Sequence, residues 1–234
     1  MTRSELINLI IKKSNYKSYL EVGVNIPEAP GWNFGTINAE IKNSVDPEKK
    51  ARATYLMTSD EFFDKTIKIK YDVIFIDGLH IFEQAYRDIT NSLKWLNENG
   101  TIIVHDCNPV LEITQRRKRA SETWHGDVWK AILKLRMEEP DVTIYTVDTD
   151  QGCTVIQKGV QKLFKTDDST IDIYNFNFFD LNRKNILNLI SIRQFKKILG
   201  AENAFVTRGR YLRNSLFYKV KRMLINRTQH LFKR

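Results

Sequence analysis

Tyr71-Asp72-Val73-Ile74-Phe75-Ile76-Asp77-Gly78-Leu79-His80 decides the fold, together with its echo Thr101-Ile102-Ile103-Val104-His105-Asp106. Each is a short apolar run, rich in β-branched residues, that breaks abruptly into polar ones and so reads as a buried strand. Between them, Glu83 to Asn99 places Tyr86, Ile89, Leu93 and Leu96 on one face of a predicted helix, and Gly100 stands where a C-terminal cap is expected. Strand, helix and strand make a βαβ crossover, so both strands finish on the same sheet edge, where open α/β sheets bind ligands. Asp77, His80, His105 and Asp106 therefore converge on one crevice.

Outward from this unit the pattern repeats. Ser4 to Lys13 predicts an amphipathic helix, Ser18 to Val24 a first strand, and the proline-punctuated Asn25 to Gly31 a loop. Trp32 to Ile41 predicts a short helix, Ser44 to Pro47 the end of a second strand, and Ala53 to Met57 a third short strand. Thr58 and Glu61 stand at capping-box spacing before Phe62 and Phe63, which marks a helix start. Beyond the second core strand, Asn108 to His125 is polar and basic and reads as a long loop or lid, and Asp127 to Arg136 as a helix. Val142–Val147 and Gly152–Ile156 flank a short turn and predict a hairpin. Lys165 to Phe179 reads as irregular and Asn185 to Leu199 as a helix. Alternating β/α units ending in a hairpin predict an α/β fold with a mostly parallel sheet and one antiparallel strand.

Composition bounds the rest. At 234 residues with 42% hydrophobic and 11% aromatic content, the chain is sufficient for one large cored domain with an appendage. No run has transmembrane length, and the acidic residue in the amphipathic N-terminal stretch is unlike a signal peptide. Two distant cysteines, Cys107 and Cys153, fit a reduced cytoplasmic protein. The net charge of +9 belongs to the end of the chain: residues 206–234 hold nine of the 37 Lys and Arg and no Asp or Glu, leaving 28 basic against 28 acidic residues elsewhere. There Leu212, Leu216, Val220 and Leu224 at four-residue spacing beside Arg213, Lys219, Lys221 and Arg222 predict a basic amphipathic helix. An anionic membrane surface suits it better than nucleic acid, and docking onto the domain is the plainer alternative.

Glu21 and Gly23 end the first strand, where a glycine lets backbone approach a nucleotide-like ligand and a carboxylate fixes its polar groups. The absence of G-x-G-x-x-G counts against a dinucleotide dehydrogenase. Asp46, ending the second strand, suits ribose hydroxyls, although Asp-Pro also starts turns. Ser59 and Asp60 cap a helix unless a ligand is near. Asp77 and Asp106 are oxygen ligands fit for magnesium, with His105 nearby, and His80 is placed to act as a general base. Structural hydrogen bonds are the alternative for each histidine.

These stretches, with Tyr19-Leu20-Glu21-Val22-Gly23-Val24, Val45-Asp46-Pro47, Met57 to Phe63, Val104 to Pro109 and Trp124 to Trp129, resemble class I S-adenosylmethionine-dependent methyltransferases. The nearest subset is the small O-methyltransferases of sugar, polysaccharide and natural-product pathways, and the likeness runs from about Tyr19 to Ile156. It implies a Rossmann-like doubly wound seven-stranded sheet, mostly parallel with one antiparallel strand, and the donor over the ends of the first four strands. It also implies Glu21 and Gly23 at the methionine side, Asp46 at the ribose, Ser59 and Asp60 at the adenine, with Asp77 bordering donor and acceptor. Asp77 and Asp106 match metal ligands and His80 matches the base. The expected organisation is a methyltransferase domain over 1–160, a C-terminal helical extension over 161–205 packed on it, and the basic tail at 206–234. The expected activity is O-methylation of a sugar hydroxyl on a glycan, glycolipid or polysaccharide precursor, cytoplasmic with peripheral attachment at the inner face of the membrane as an option, with S-adenosylmethionine and optional magnesium, in a chain that can self-associate. The alternatives are a phenol or catechol methyltransferase, or a degenerate methyltransferase fold binding partners through its tail.

Overall fold

The computed structural model describes residues 1–29, 32–66, 68–166 and 170–204. Seven strands form one sheet in the order β2-β1-β3-β4-β6-β5-β7. They are β1 (Ser18–Val22), β2 (Ile41–Val45), β3 (Tyr71–Ile76), β4 (Leu96–Val104), β5 (Val142–Val147), β6 (Cys153–Lys158) and β7 (Leu189–Ile190). All neighbours are parallel except those of β6, which runs antiparallel to both β4 and β5. The α/β architecture with one antiparallel strand is therefore as expected.

Helices cover both faces. α1 (Arg3–Ser14) and α6 (Ile192–Ile198) lie on one, and α3 (Phe82–Lys94), α4 (Trp129–Glu138) and α5 (Phe176–Ile186) on the other. Strand period explains the sorting. Leu20, Val22, Ile74, Ile76, Ile102 and Val104 pack toward α3 and α4, while Tyr19, Val73, Phe75 and Ile103 pack toward α1. α1 is held at its start by a capping box between Thr2 and Glu5 and buries Leu6, Ile7, Ile10 and Ile11. α2 (Ser59–Glu61) has the predicted Thr58–Glu61 box and widens into a π turn over Phe62–Thr66 that buries Phe62 and Phe63.

Four expectations change. The helix after β3 stops at Lys94 rather than Asn99, because the chain turns at Trp95 and begins β4 at Leu96. Gly100 accordingly lies inside β4, where a Cβ would stand 2.9 Å from the Asp72 carbonyl oxygen and closer still to Leu96. Ala53–Met57 makes only a single bridge, Tyr55 to Val45. Trp32–Ile41 contains one 3₁₀ turn, Phe34–Thr36. The helix expected over Asn185–Leu199 is displaced and divided: α5 already begins at Phe176, inside the stretch read as irregular, and Asn188 takes a positive φ of 42° and donates to the Ile144 carbonyl at 2.9 Å. That break feeds Leu189 and Ile190 onto the open edge of β5. The basic amphipathic helix expected over 206–234 lies outside the described residues. No described helix is long and apolar enough to cross a membrane.

Candidate active site

The carboxyl ends of β1, β2, β3 and β4 open into a cavity of about 770 Å³, within the range of small-molecule and cofactor sites. Every candidate residue lines it: Glu21, Gly23, Asp46, Ser59, Asp60, Asp77, His80, His105 and Asp106. Register brings them together. Glu21 pairs with Phe75 and Phe75 with Ile103, so Glu21, Asp77 and His105 share the α1 face of the sheet. Beyond β3 the ladder continues through Asp77 N–H to Val22 and His105 N–H to Ile76. At Gly23, with φ of 83°, a Cβ would stand 2.4 Å from the Asp77 carbonyl oxygen, so only glycine lets the two strand ends approach this closely.

At the ends of β1 and β2, Glu21 is buried and accepts from the Tyr19 hydroxyl and from Asn33 Nδ2 (3.0 Å). Burial pushes its carboxyl up to about 8 against those two hydrogen bonds, so it holds a proton at neutral pH. Asp46 organises the loop as well as the cavity wall: its carboxylate accepts from Val24 N (2.9 Å), Asn25 N (3.3 Å) and Glu48 N (2.8 Å). A carboxylate has about four acceptor positions, so a further donor still finds capacity there. Gln84 Nε2 bridges Ser59 Oγ, Asp60 Oδ1 and Asp88 Oδ1 at 3.0–3.1 Å. Burial raises Asp88 to about 6.

The other half is a cluster of carboxylates and imidazoles. His80 Nε2 is 3.3 Å from Asp77 Oδ1, and its Nδ1 is 3.4 Å from Asp106 Oδ2 and 3.2 Å from the Trp124 carbonyl oxygen. The ring stacks on Trp124 at 5.0 Å. Burial works against a charged His80, but Asp77 and Asp106 outweigh it and raise its pKa above the ordinary value. His105 lies deeper, its Nδ1 3.1 Å from Asp77 and 3.4 Å from Asp106. Despite burial those carboxylates hold it well up, as an imidazolium, and it in turn keeps Asp77 well below the usual carboxylate range. Asp106 adopts a positive φ of 60°, which swings its carboxylate toward His80, a conformation aspartate tolerates better than most residues.

Asp77, His80 and Asp106 offer ligand atoms that all lie within 4.8 Å of one another, the arrangement found among the described residues that fits a divalent cation. His105 Nδ1 approaches the same carboxylate oxygens, so an ion there would share them with an imidazole.

Several residues escaped the sequence reading. Arg3, from the start of α1, reaches the cavity floor 3.8 Å from both Asp77 and Asp150. Asp150 sits in the β5–β6 turn, and the antiparallel placement of β6 beside β4 is the signal that could have found it. The Asn108–His125 segment is a loop with one 3₁₀ turn, Glu112–Gln115, and is fastened to His80 through the carbonyl and ring of Trp124. Asp127, fully buried, accepts from Phe82 N at 2.7 Å and thus caps α3 from a distant segment, while Asp127 N donates to the His80 carbonyl. Gly126, with φ of 58°, leaves room there: a Cβ would stand 1.7 Å from the same carbonyl oxygen.

Residues 32–107 match a family model described as a methyltransferase domain. No curated protein sequence matches the chain. Among solved structures, a Staphylococcus aureus protein described as a candidate caffeoyl-CoA O-methyltransferase aligns at 20% identity with a TM-score of 0.51, over 67% of this chain and 82% of that one. An S-adenosylhomocysteine-bound methyltransferase from Podospora anserina aligns at 16% identity with a TM-score of 0.50, over 67% and 77%. These likenesses concern the fold; the family-model match covers β2, β3 and β4 with Asp46, Ser59 and Asp60, and leaves out β1 with Glu21 and Gly23. By that match, residues 32–107 are similar to a methyltransferase domain, and the sheet has the fold of the two aligned structures.

Proposed function

We propose that the protein transfers the methyl group of S-adenosylmethionine to a hydroxyl oxygen, with a sugar hydroxyl of a glycan, glycolipid or polysaccharide precursor as acceptor. The observation that carries the reading is one cavity holding both a nucleoside-type wall (Glu21, Gly23, Asp46, Ser59, Asp60) and His80 set between two carboxylates. With Nδ1 protonated toward the Trp124 carbonyl and Asp106, Nε2 takes the acceptor proton as the oxygen attacks the donor methyl. Asp77, 3.3 Å away, stabilises the imidazolium so formed. Trp124 and the exposed Leu79 at the mouth offer an apolar surface to a sugar ring, and the Asn108–His125 loop sets which acceptor fits. A magnesium ion held by Asp77 and Asp106, with His80 beside them, would supply Lewis acidity to the hydroxyl.

The same cavity serves a phenol or catechol acceptor, a reading favoured by the stacked Trp124 and by the described activity of the Staphylococcus aureus structure. The buried, unbridged Cys107 and Cys153 support a reducing cytoplasmic setting. The tail at 206–234 adds a contact for an anionic membrane surface, with nucleic acid the weaker candidate.

The test is methyl transfer from isotopically labelled S-adenosylmethionine onto parallel panels of sugars, glycan precursors and catechols, repeated with His80→Ala. Transfer to a sugar hydroxyl that His80→Ala abolishes supports the reading. Transfer to catechols alone replaces the substrate class, and turnover surviving in His80→Ala removes the base.

A further inference from the structure

We infer that Arg3 receives the carboxylate of the methyl donor's amino-acid end, making the first turn of α1 part of the donor site. The inference rests on the donor reading above and adds a residue that lies outside the 32–107 stretch matched to the family model.

Placement and charge carry it. The amino-acid end of the donor bears one carboxylate, and a carboxylate taken out of water needs a cationic partner. Among the described residues lining the cavity, Lys and Arg are represented only by Arg3 and Arg119. Arg119 stands on the loop beyond β4 with Thr123 and Trp124, on the His80 side, and its guanidinium donates to the carbonyls of Ser121 (3.4 Å) and Glu122 (2.9 Å). Arg3 stands on the sheet face that also presents Glu21 and Asp77, where β1 and β3 finish.

The side chain is positioned rather than loose at its root. Arg3 N–H donates to Asp150 Oδ2 at 2.6 Å, and the Thr2–Glu5 box fixes the turn that follows. Asp77 and Asp150 flank the guanidinium at 3.8 Å each, and its side chain is 23% exposed. Asn33 ties this corner together: its Nδ2 donates to Glu21 while its Oδ1 accepts from Ser4 Oγ, the residue after Arg3. The donor's amino-acid end is a zwitterion, so it adds no net charge to this corner. Its carboxylate faces Arg3, and its ammonium faces the acidic side chains.

Calorimetry with two probes tests this. S-adenosylhomocysteine carries the amino-acid end, and 5′-deoxy-5′-methylthioadenosine keeps the nucleoside and thioether without it. Arg3→Met, which retains most of the aliphatic stem, is expected to weaken S-adenosylhomocysteine by about tenfold or more, the scale of a lost charge-assisted hydrogen bond. Its affinity for methylthioadenosine is expected to stay within about twofold, and Arg3→Lys to fall between wild type and Arg3→Met. Arg3→Gln provides the same comparison if Arg3→Met fails to fold. Equal losses for both probes would assign Arg3 to packing alone and overturn the inference, as would unchanged S-adenosylhomocysteine affinity. Wild-type protein binding neither probe would instead overturn the donor reading on which the inference stands.

Discussion

Replacing Glu21 by glutamine is expected to stabilise the protein, and to do so more at high pH than at low. The carboxyl is buried and pushed up to about 8, while an unfolded glutamate titrates near 4.5. The folded state therefore keeps a proton that the unfolded state releases, so this group lowers stability progressively as pH rises from about 4.5 to 8. Each unit of that window corresponds to about 1.4 kcal/mol, which places the cost at roughly 3 kcal/mol at pH 7. Glutamine has the shape of the neutral acid, and its oxygen can accept from both Tyr19 and Asn33, so the variant keeps the hydrogen bonds without the titration. For a chain of this size, roughly 3 kcal/mol corresponds to a rise in Tm on the order of 6–12 °C. Thermal and urea unfolding of both proteins at half-unit steps from pH 5.5 to 8.5 measures the effect. Asp88, raised to about 6, titrates in both proteins and cancels in the difference. A gap that does not change with pH, or a variant less stable throughout, would refute the claim that Glu21 is a buried neutral acid.

The remaining predictions concern the architecture around His80. Gly126→Ala introduces both a positive-φ strain and a Cβ 1.7 Å from the His80 carbonyl oxygen. Turnover should fall by at least about a hundredfold through displacement of His80, with donor affinity changing far less; equal losses in both would point to general unfolding. Asp127→Ala removes the distant cap on α3 and leaves Phe82 N without its acceptor, at about 1–2 kcal/mol by denaturant unfolding. A value near zero would show that the capping bond carries no stability. Chelation with EDTA should leave measurable turnover, because His105 already places a proton donor within 3.4 Å of the carboxylates an ion would use. Complete loss restored by magnesium alone would make the cation obligatory.

Much of this site was legible because two strands announce their own ends. The β3 and β4 runs break from apolar to polar at Asp77 and His105, and a parallel pair must present those ends side by side. Asp46 was legible as a second-strand terminus, yet its hydrogen bonds to Val24 and Asn25 depend on a loop path that residue spacing does not specify. Arg3 was not legible: a basic residue opening an amphipathic helix looks like surface until α1 is docked with its first turn at the sheet's carboxyl edge. The helix boundaries failed for a related reason. Leu96 continues the helical spacing of Ile89 and Leu93 past the true end, but it is buried by strand pairing instead. In the same way, Leu189 and Ile190 fit a helical face but are taken by the open edge of β5, a tertiary opportunity that overrides local pattern.

Calorimetric titration of the full chain with S-adenosylhomocysteine, on wild type and His80→Ala, tests the central claim that one cavity unites donor and base. The predicted result is saturable one-to-one binding in both proteins, with affinities within about twofold and methyl transfer only in wild type. Absence of binding at millimolar ligand would contradict the donor site, and methyl transfer persisting in His80→Ala would contradict the base.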